Sequence, residues 1–266
     1  MENKKEQPIG NHASQIIRVC RLCLRPNDLQ DSHIIPEFMY KPLYDDKHRM
    51  IPIAERAGQL QRQKPLQKGV REPLLCLQCE RHLNTCFEQP NISLWRSMVE
   101  QRPVSNISIN RLELAEDVTA LQFQGFDYRS FKLLLLSVLW RASVATHADY
   151  AAVDLGPYEN TIREMLYEQN PGSCADYPCL VCLLTEPNFG LMAAPVQTQI
   201  DGYTSYKFLL PGVLLGFVVT NRAHHYWTTP TPDGSLVAPL VAREEAPFIQ
   251  SVTHLVAQAW KAHRGE

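Results

Sequence analysis

The chain has 266 residues, 45% hydrophobic and 20% charged, with 26 Lys+Arg against 28 Asp+Glu for a formal charge of −2. This is ordinary globular composition, which excludes a disordered, collagenous or coiled-coil chain and allows one large domain or two small ones. The best candidate for a membrane span, Leu133 to Trp140, has eight residues between Lys132 and Arg141, well short of the roughly 18 that cross a bilayer.

Residues 1–15 read as a polar, flexible tail without the apolar core of a secretory signal, so a soluble, cytoplasmic protein with no membrane partner is expected. Residues 16–24 begin as a short apolar run and turn at a first cysteine pair. Residues 33–45, HIIPEFMYKPLYD, read as a strand or loop leading into a short helical turn. A polar, basic stretch over 47–72 suggests a β-hairpin or a partly mobile insertion. An apolar stub from Pro73 then leads into a helix from Gln78, with Leu83 and Phe87 on one face.

Beyond residue 100 the pattern changes. Phe131, Leu134, Leu135, Val138 and Ala142 recur at helical spacing and predict a long, mostly buried helix near 128–146. Gly156-Pro157 opens another helix, with Ile162, Met165 and Leu166 facing inward. Four strand-like runs follow, at 177–184, 189–198, 203–210 and 212–220, separated by Pro187-Asn188, Asp201-Gly202 and Pro211-Gly212. An apolar stripe over Pro247–His263 predicts a closing helix. The expected architecture is α+β: a small zinc-stapled module over 16–100, then an α+β domain of helices and an antiparallel sheet over 101–266.

Six of the eight cysteines form Cys-x-x-Cys pairs: Cys20/Cys23, Cys76/Cys79 and Cys179/Cys182. In a reducing compartment such pairs point to metal rather than to disulfides. The first two pairs together supply four thiolates, the donor set of a structural zinc site. Its binding energy, of the order of 10 kcal/mol, would order a region poor in apolar residues. The third pair lies in a strand-like run where side chains three apart face opposite sides, so Cys179 and Cys182, with Cys174 upstream, read as core residues.

Ser32-His33-Ile34-Ile35-Pro36-Glu37 lies between the first two pairs, and Leu-Cys76-Leu-Gln-Cys79-Glu80 begins the following helix. This arrangement resembles the zinc-stapled HNH, or ββα-metal, endonucleases over residues 18–90. The resemblance implies a ββα fold in which His33 is the general base. It places Glu80, and Ser32 just before the histidine, as ligands of a catalytic Mg²⁺ or Mn²⁺. In the family the position of Ser32 commonly holds Asp, Glu or His, so Asp31 or a water is the alternative donor there. The middle asparagine of the family has no counterpart between Pro36 and Leu75. His82 and Glu88 read as solvated helix residues that could also approach the metal.

The first hundred residues carry 15 Lys/Arg against 12 Asp/Glu and the remainder 11 against 16, so a nucleic-acid partner, most simply DNA, belongs with the first part. Arg21, Arg25, Lys41, Arg49 and Lys68 are its candidate phosphate contacts. FKLLLLSVLWRASV and LGPYENTIREML resemble the C-terminal part of uncharacterised bacterial proteins with an HNH-type zinc motif. That part is a candidate surface for a protein partner or a second copy, and bacterial defence is the expected setting. The leading expectation is an HNH-type endonuclease hydrolysing phosphodiesters in DNA or structured nucleic acid. The alternative is a non-catalytic, zinc-dependent nucleic-acid-binding protein with a degenerate HNH site.

Overall fold

The computed structural model describes residues 18–56, 59–115, 118–187, 190–220 and 222–242; the predicted tail at 1–15 and the closing helix at Pro247–His263 lie outside them. The described residues form a mixed α+β fold with four α-helices and a seven-stranded sheet.

The N-terminal part is built on a two-stranded antiparallel ladder. Strand β1 (Leu29–His33) pairs β4 (Arg71–Cys76), setting Leu29 opposite Cys76 and His33 opposite Arg71. Between them the chain makes a short 3-10 helix at Glu37–Leu43 and a hairpin of β2 (Ile53–Arg56) with β3 (Gln59–Arg62), as the polar stretch suggested. The helix α1 (Leu77–Leu83) begins directly after β4. It then widens into a π-turn at Asn84–Glu88 and continues as α2 (Gln89–Glu100).

Pro90 would break an ordinary α-helix, because it lacks an N–H and its ring strikes the carbonyl four residues back. Here it falls in the first turn of α2, directly after the π-turn, where the wider loop of backbone relieves that clash. The extra residue also re-phases the helix, so that Phe87 is buried and Glu88 faces the protein.

Strands β5 (Ser108–Ala115) and β6 (Val118–Gln124) follow, then α3 (Tyr128–Val144). The Asp127 carboxylate accepts from the Ser130 N–H at 2.8 Å and caps α3. Fifteen of its 17 residues are buried, so it is apolar nearly all round and runs through the core. Helix α4 (Glu159–Tyr167) buries Ile162 and Leu166, and Met165 is half-buried.

Strands β7 (Cys179–Leu184), β8 (Val196–Ile200), β9 (Tyr203–Leu210), β10 (Val213–Val218) and β11 (Ser235–Val241) complete the sheet. Its order is β5-β6-β11-β7-β10-β9-β8. Asp201 and Gly202 both take positive φ, 51° and 80°, the two-residue turn that the twist of a hairpin favours. The sheet departs from the antiparallel expectation in two ways. Residues 101–127 supply two strands that were not expected, β5 largely exposed at the edge and β6 inside the sheet. In addition, β11 pairs β7 in parallel, so the sheet is mixed.

One apolar cluster runs from Cys20 to Ala238 and includes Leu22, Ile34, Phe87, Trp95, Trp140 and Phe217. Arg141, fully buried on α3, ties this core to the first part. Its guanidinium donates to the His33 carbonyl at 3.0 Å, to the Ser137 hydroxyl at 3.1 Å and to Glu88 at 3.0 Å. Arg141→Met is expected to cost about 3–5 kcal/mol in urea unfolding, because the partly buried Glu88 carboxylate and the His33 carbonyl both lose their buried cationic partner. Arg141→Met combined with Glu88→Leu is expected to recover most of that loss in the same assay.

Candidate metal centre and the neighbouring histidine

The first cysteine pair sits in a tight loop. The Cys20 N–H donates to the Arg25 carbonyl at 3.0 Å, and the Leu24 N–H to the Cys20 carbonyl at 2.9 Å. A bond of 3.0 Å from the Arg21 N–H to the Leu74 carbonyl holds this loop against β4. The second pair straddles the junction where β4 ends and α1 begins. The β1–β4 ladder therefore brings two sequence-distant loops together: the Sγ atoms of Cys20, Cys23, Cys76 and Cys79 all lie within 4.8 Å of one another. Tetrahedral zinc with bonds of 2.3 Å needs sulfur–sulfur edges of about 3.8 Å, and Cys23 and Cys76 lie at 4.0 Å. None of these cysteines is in a disulfide, and three of the four are buried. Four thiols so placed could hold a metal ion and are compatible with structural zinc.

Electrostatics favour the same reading. Burial pushes Cys20 up, but N–H donors from Cys23, Cys76 and Leu22 outweigh it and hold the thiol below its ordinary range. Burial, and then the neighbouring sulfurs, push Cys79 far up; Cys23 is raised chiefly by burial. Without a cation the cluster resists carrying four thiolates, whereas a divalent ion removes that resistance and expels the protons. Beside it, Cys23, Arg25, Asn27, Cys79, His82 and Tyr167 line a surface pocket of about 490 Å³.

The residues between the pairs divide between two faces of β1. Ser32 is fully buried and donates to Glu80 Oε2 at 2.7 Å, so the two proposed cation ligands are brought together. His33 faces the other way, as consecutive strand residues do. Its Nε2 lies 2.7 Å from Glu37 Oε2 and 3.0 Å from Arg71 Nε. Burial and then the Arg71 charge pull the His33 pKa down, while Glu37 opposes them. His33 and Glu80, the two residues to which the resemblance assigns the chemistry, are thus not in contact; each has its own partner, Ser32 for Glu80 and Glu37 for His33. Asp31, the alternative donor, is tied to Arg71 at 3.3 Å. Glu88 is taken by Arg141, and His82 faces the Leu166 carbonyl at 3.3 Å.

The candidate phosphate contacts scatter. Arg21 reaches Glu159 at 3.7 Å, and Arg49 is held by Asp45 at 2.7 Å. Arg25 borders the pocket, and Lys41 and Lys68 are exposed. Arg71 stands out from the basic residues of this region by lying against His33. Sequence reasoning missed Glu37 as a partner of His33. Its signal was the i, i+4 spacing, which Pro36 hides from a helical reading.

Elsewhere, Cys179 and Cys182 lie on opposite faces of β7, and the described residues hold no metal-ligating cluster besides the four cysteines. His224 packs its ring on Tyr203 at 4.4 Å, and Trp227 is exposed. No helix among the described residues is long and apolar enough to cross a membrane. Comparison with protein-family models, with curated proteins and with solved structures finds no match for this chain.

Two outcomes follow from this chemistry. The protein is expected to bind one zinc and release protons as it does so, with zinc affinity falling as pH falls. Cys79→Ser is expected to reduce the bound zinc measured by mass spectrometry and to lower the melting temperature. By contrast, burial raises the Cys179 and Cys182 thiols to about 12 and about 11. A raised pKa keeps a thiol protonated at pH 8, so both are expected to react slowly with iodoacetamide there. Cys182, which is partly exposed, should speed up as pH approaches 11.

Proposed function

We propose that the protein is a metal-dependent endonuclease of HNH type, hydrolysing phosphodiester bonds in DNA or structured nucleic acid. The observation that carries this reading is the 2.7 Å contact joining Ser32, at the end of β1, to Glu80, in the first turn of α1; His33 follows Ser32 in the strand, with its ring on the opposite face against Glu37 and Arg71. It is supported by an antiparallel β1–β4 ladder running straight into α1, with a four-cysteine cluster at the junction.

Glu80 and Ser32 offer two hard oxygen donors, and Mg²⁺ or Mn²⁺ commonly uses one or two carboxylates plus substrate phosphate and water. Such an ion, when bound, would stabilise the charge developing on the phosphoryl and leaving oxygens. His33 is suited to general-base work because its lowered pKa keeps the imidazole neutral at pH 7. It would take a proton from water, whose oxygen attacks phosphorus as the phosphorus–oxygen ester bond breaks. The leaving alkoxide then takes a proton from solvent. Arg71, at the same histidine, supplies a positive charge for the phosphate.

A specific observation favours a second reading, a zinc-dependent nucleic-acid-binding protein with a degenerate site. The Ser32 hydroxyl is fully buried and already bonded to Glu80. Nicking of supercoiled plasmid separates the two. Zinc-loaded protein with Mg²⁺ or Mn²⁺ is expected to nick, and His33→Ala and Glu80→Ala are each expected to lose about 100-fold or more while retaining zinc. Salt-dependent plasmid binding without nicking would establish the binding protein instead.

A further inference from the structure

We propose that Glu37 is a positioning residue for His33: its carboxylate takes the Nε2–H and so leaves Nδ1 as the basic nitrogen. The catalytic part of this inference rests on the nuclease reading above. Two groups meet at one ring nitrogen: Nε2 has Glu37 Oε2 at 2.7 Å on one side and Arg71 Nε at 3.0 Å on the other. A neutral imidazole nitrogen either donates or accepts, so it satisfies one of them. If Nε2 accepts from Arg71, its lone pair faces a carboxylate oxygen at 2.7 Å, and that buried oxygen has no hydrogen-bond partner. If Nε2 carries the proton, Glu37 is satisfied, and Arg71 keeps its Nη1 bond to Asp31 at 3.3 Å and gives up only the Nε contact with the ring. An unsatisfied buried acceptor is costly, so the proton belongs on Nε2.

Glu37 is itself held in place. Pro36 enters the 3-10 helix with φ −50° and ψ 137°, which turns the chain so that Glu37 comes back over His33. Tyr44, from the end of the same segment, donates its hydroxyl to Glu37 Oε1 at 2.6 Å, and its ring stacks on His48 at 4.0 Å. The His33 backbone is anchored separately, through its carbonyl, by Arg141. The ring is thus oriented from one side and the main chain from the other. This is the base-and-orienter arrangement that nucleophile activation requires, here serving a water molecule. The family's orienting asparagine is missing from this sequence, and Glu37 occupies that role from a different direction.

The test uses full-length, zinc-loaded protein in two arms. In the first, ¹⁵N correlation spectra of the histidine rings, with His33→Ala to assign the His33 signals, report which nitrogen is protonated. Nε2–H is expected in the wild type, and a change of tautomer in Glu37→Ala as Arg71 takes over. In the second, plasmid cleavage by Glu37→Ala is expected to show kcat reduced at least tenfold with KM within twofold of wild type. Glu37→Gln, which keeps an acceptor, is expected to restore part of kcat. Zinc content and melting temperature confirm that the variants fold. An Nδ1–H tautomer in the wild type, or an unchanged kcat in Glu37→Ala, overturns the inference. If the wild type does not cleave at all, the nuclease reading and the catalytic role of Glu37 fall together. The tautomer then decides whether the contact itself stands.

Discussion

The four-cysteine cluster is the constraint on which the first part of the molecule depends. Its two halves come from loops separated by 52 residues of largely polar chain, and closing so long a loop carries a large entropic cost. A metal held by four thiolates would offset that cost at one point. The cluster sits where β4 ends and α1 begins, against the β1–β4 ladder. Ser32 and Glu80 meet because Cys79 and Glu80 are consecutive on α1 while the Cys20 loop is pinned to β4.

The second support comes from outside the motif. Arg141 is 108 residues from His33 in sequence, yet its guanidinium holds the histidine's carbonyl. Burying an arginine is tolerable because Glu88, Ser137 and the His33 carbonyl together satisfy the charge and several of its N–H groups. The π-turn at Asn84–Glu88 is part of this arrangement, since it turns Glu88 inward. The long helix that reads as mere core therefore also braces the candidate site. The α+β part is continuous in its packing with the part that carries the four cysteines.

Local signals carried some elements well. The all-apolar α3, the amphipathic α4 and the Asp201-Gly202 turn follow from periodicity and backbone preference alone. The four cysteines were legible because metal chemistry demands a fixed residue type at fixed spacing. Strand β5 was not, since it is an exposed edge strand, and its partner β6, which buries Ala120, Leu121 and Phe123, went unread with it. The run of α1 into α2 was hidden by Pro90, which reads as a stop unless a wider turn precedes it.

The site shows the same division. The residue types and spacing in the sequence determined the cysteine set, the histidine in its strand and the glutamate following the second pair. Their partners were decided by tertiary structure. Strand alternation sends Ser32 and His33 to opposite sides of β1, so Glu80 falls to one and Glu37 with Arg71 to the other. The bond from Arg141 to His33 depends on how a helix from the second half docks against a strand from the first. Short-range patterns encode which chemistry a segment can offer. Which groups meet is set by packing between segments far apart in the chain, and no local pattern records it.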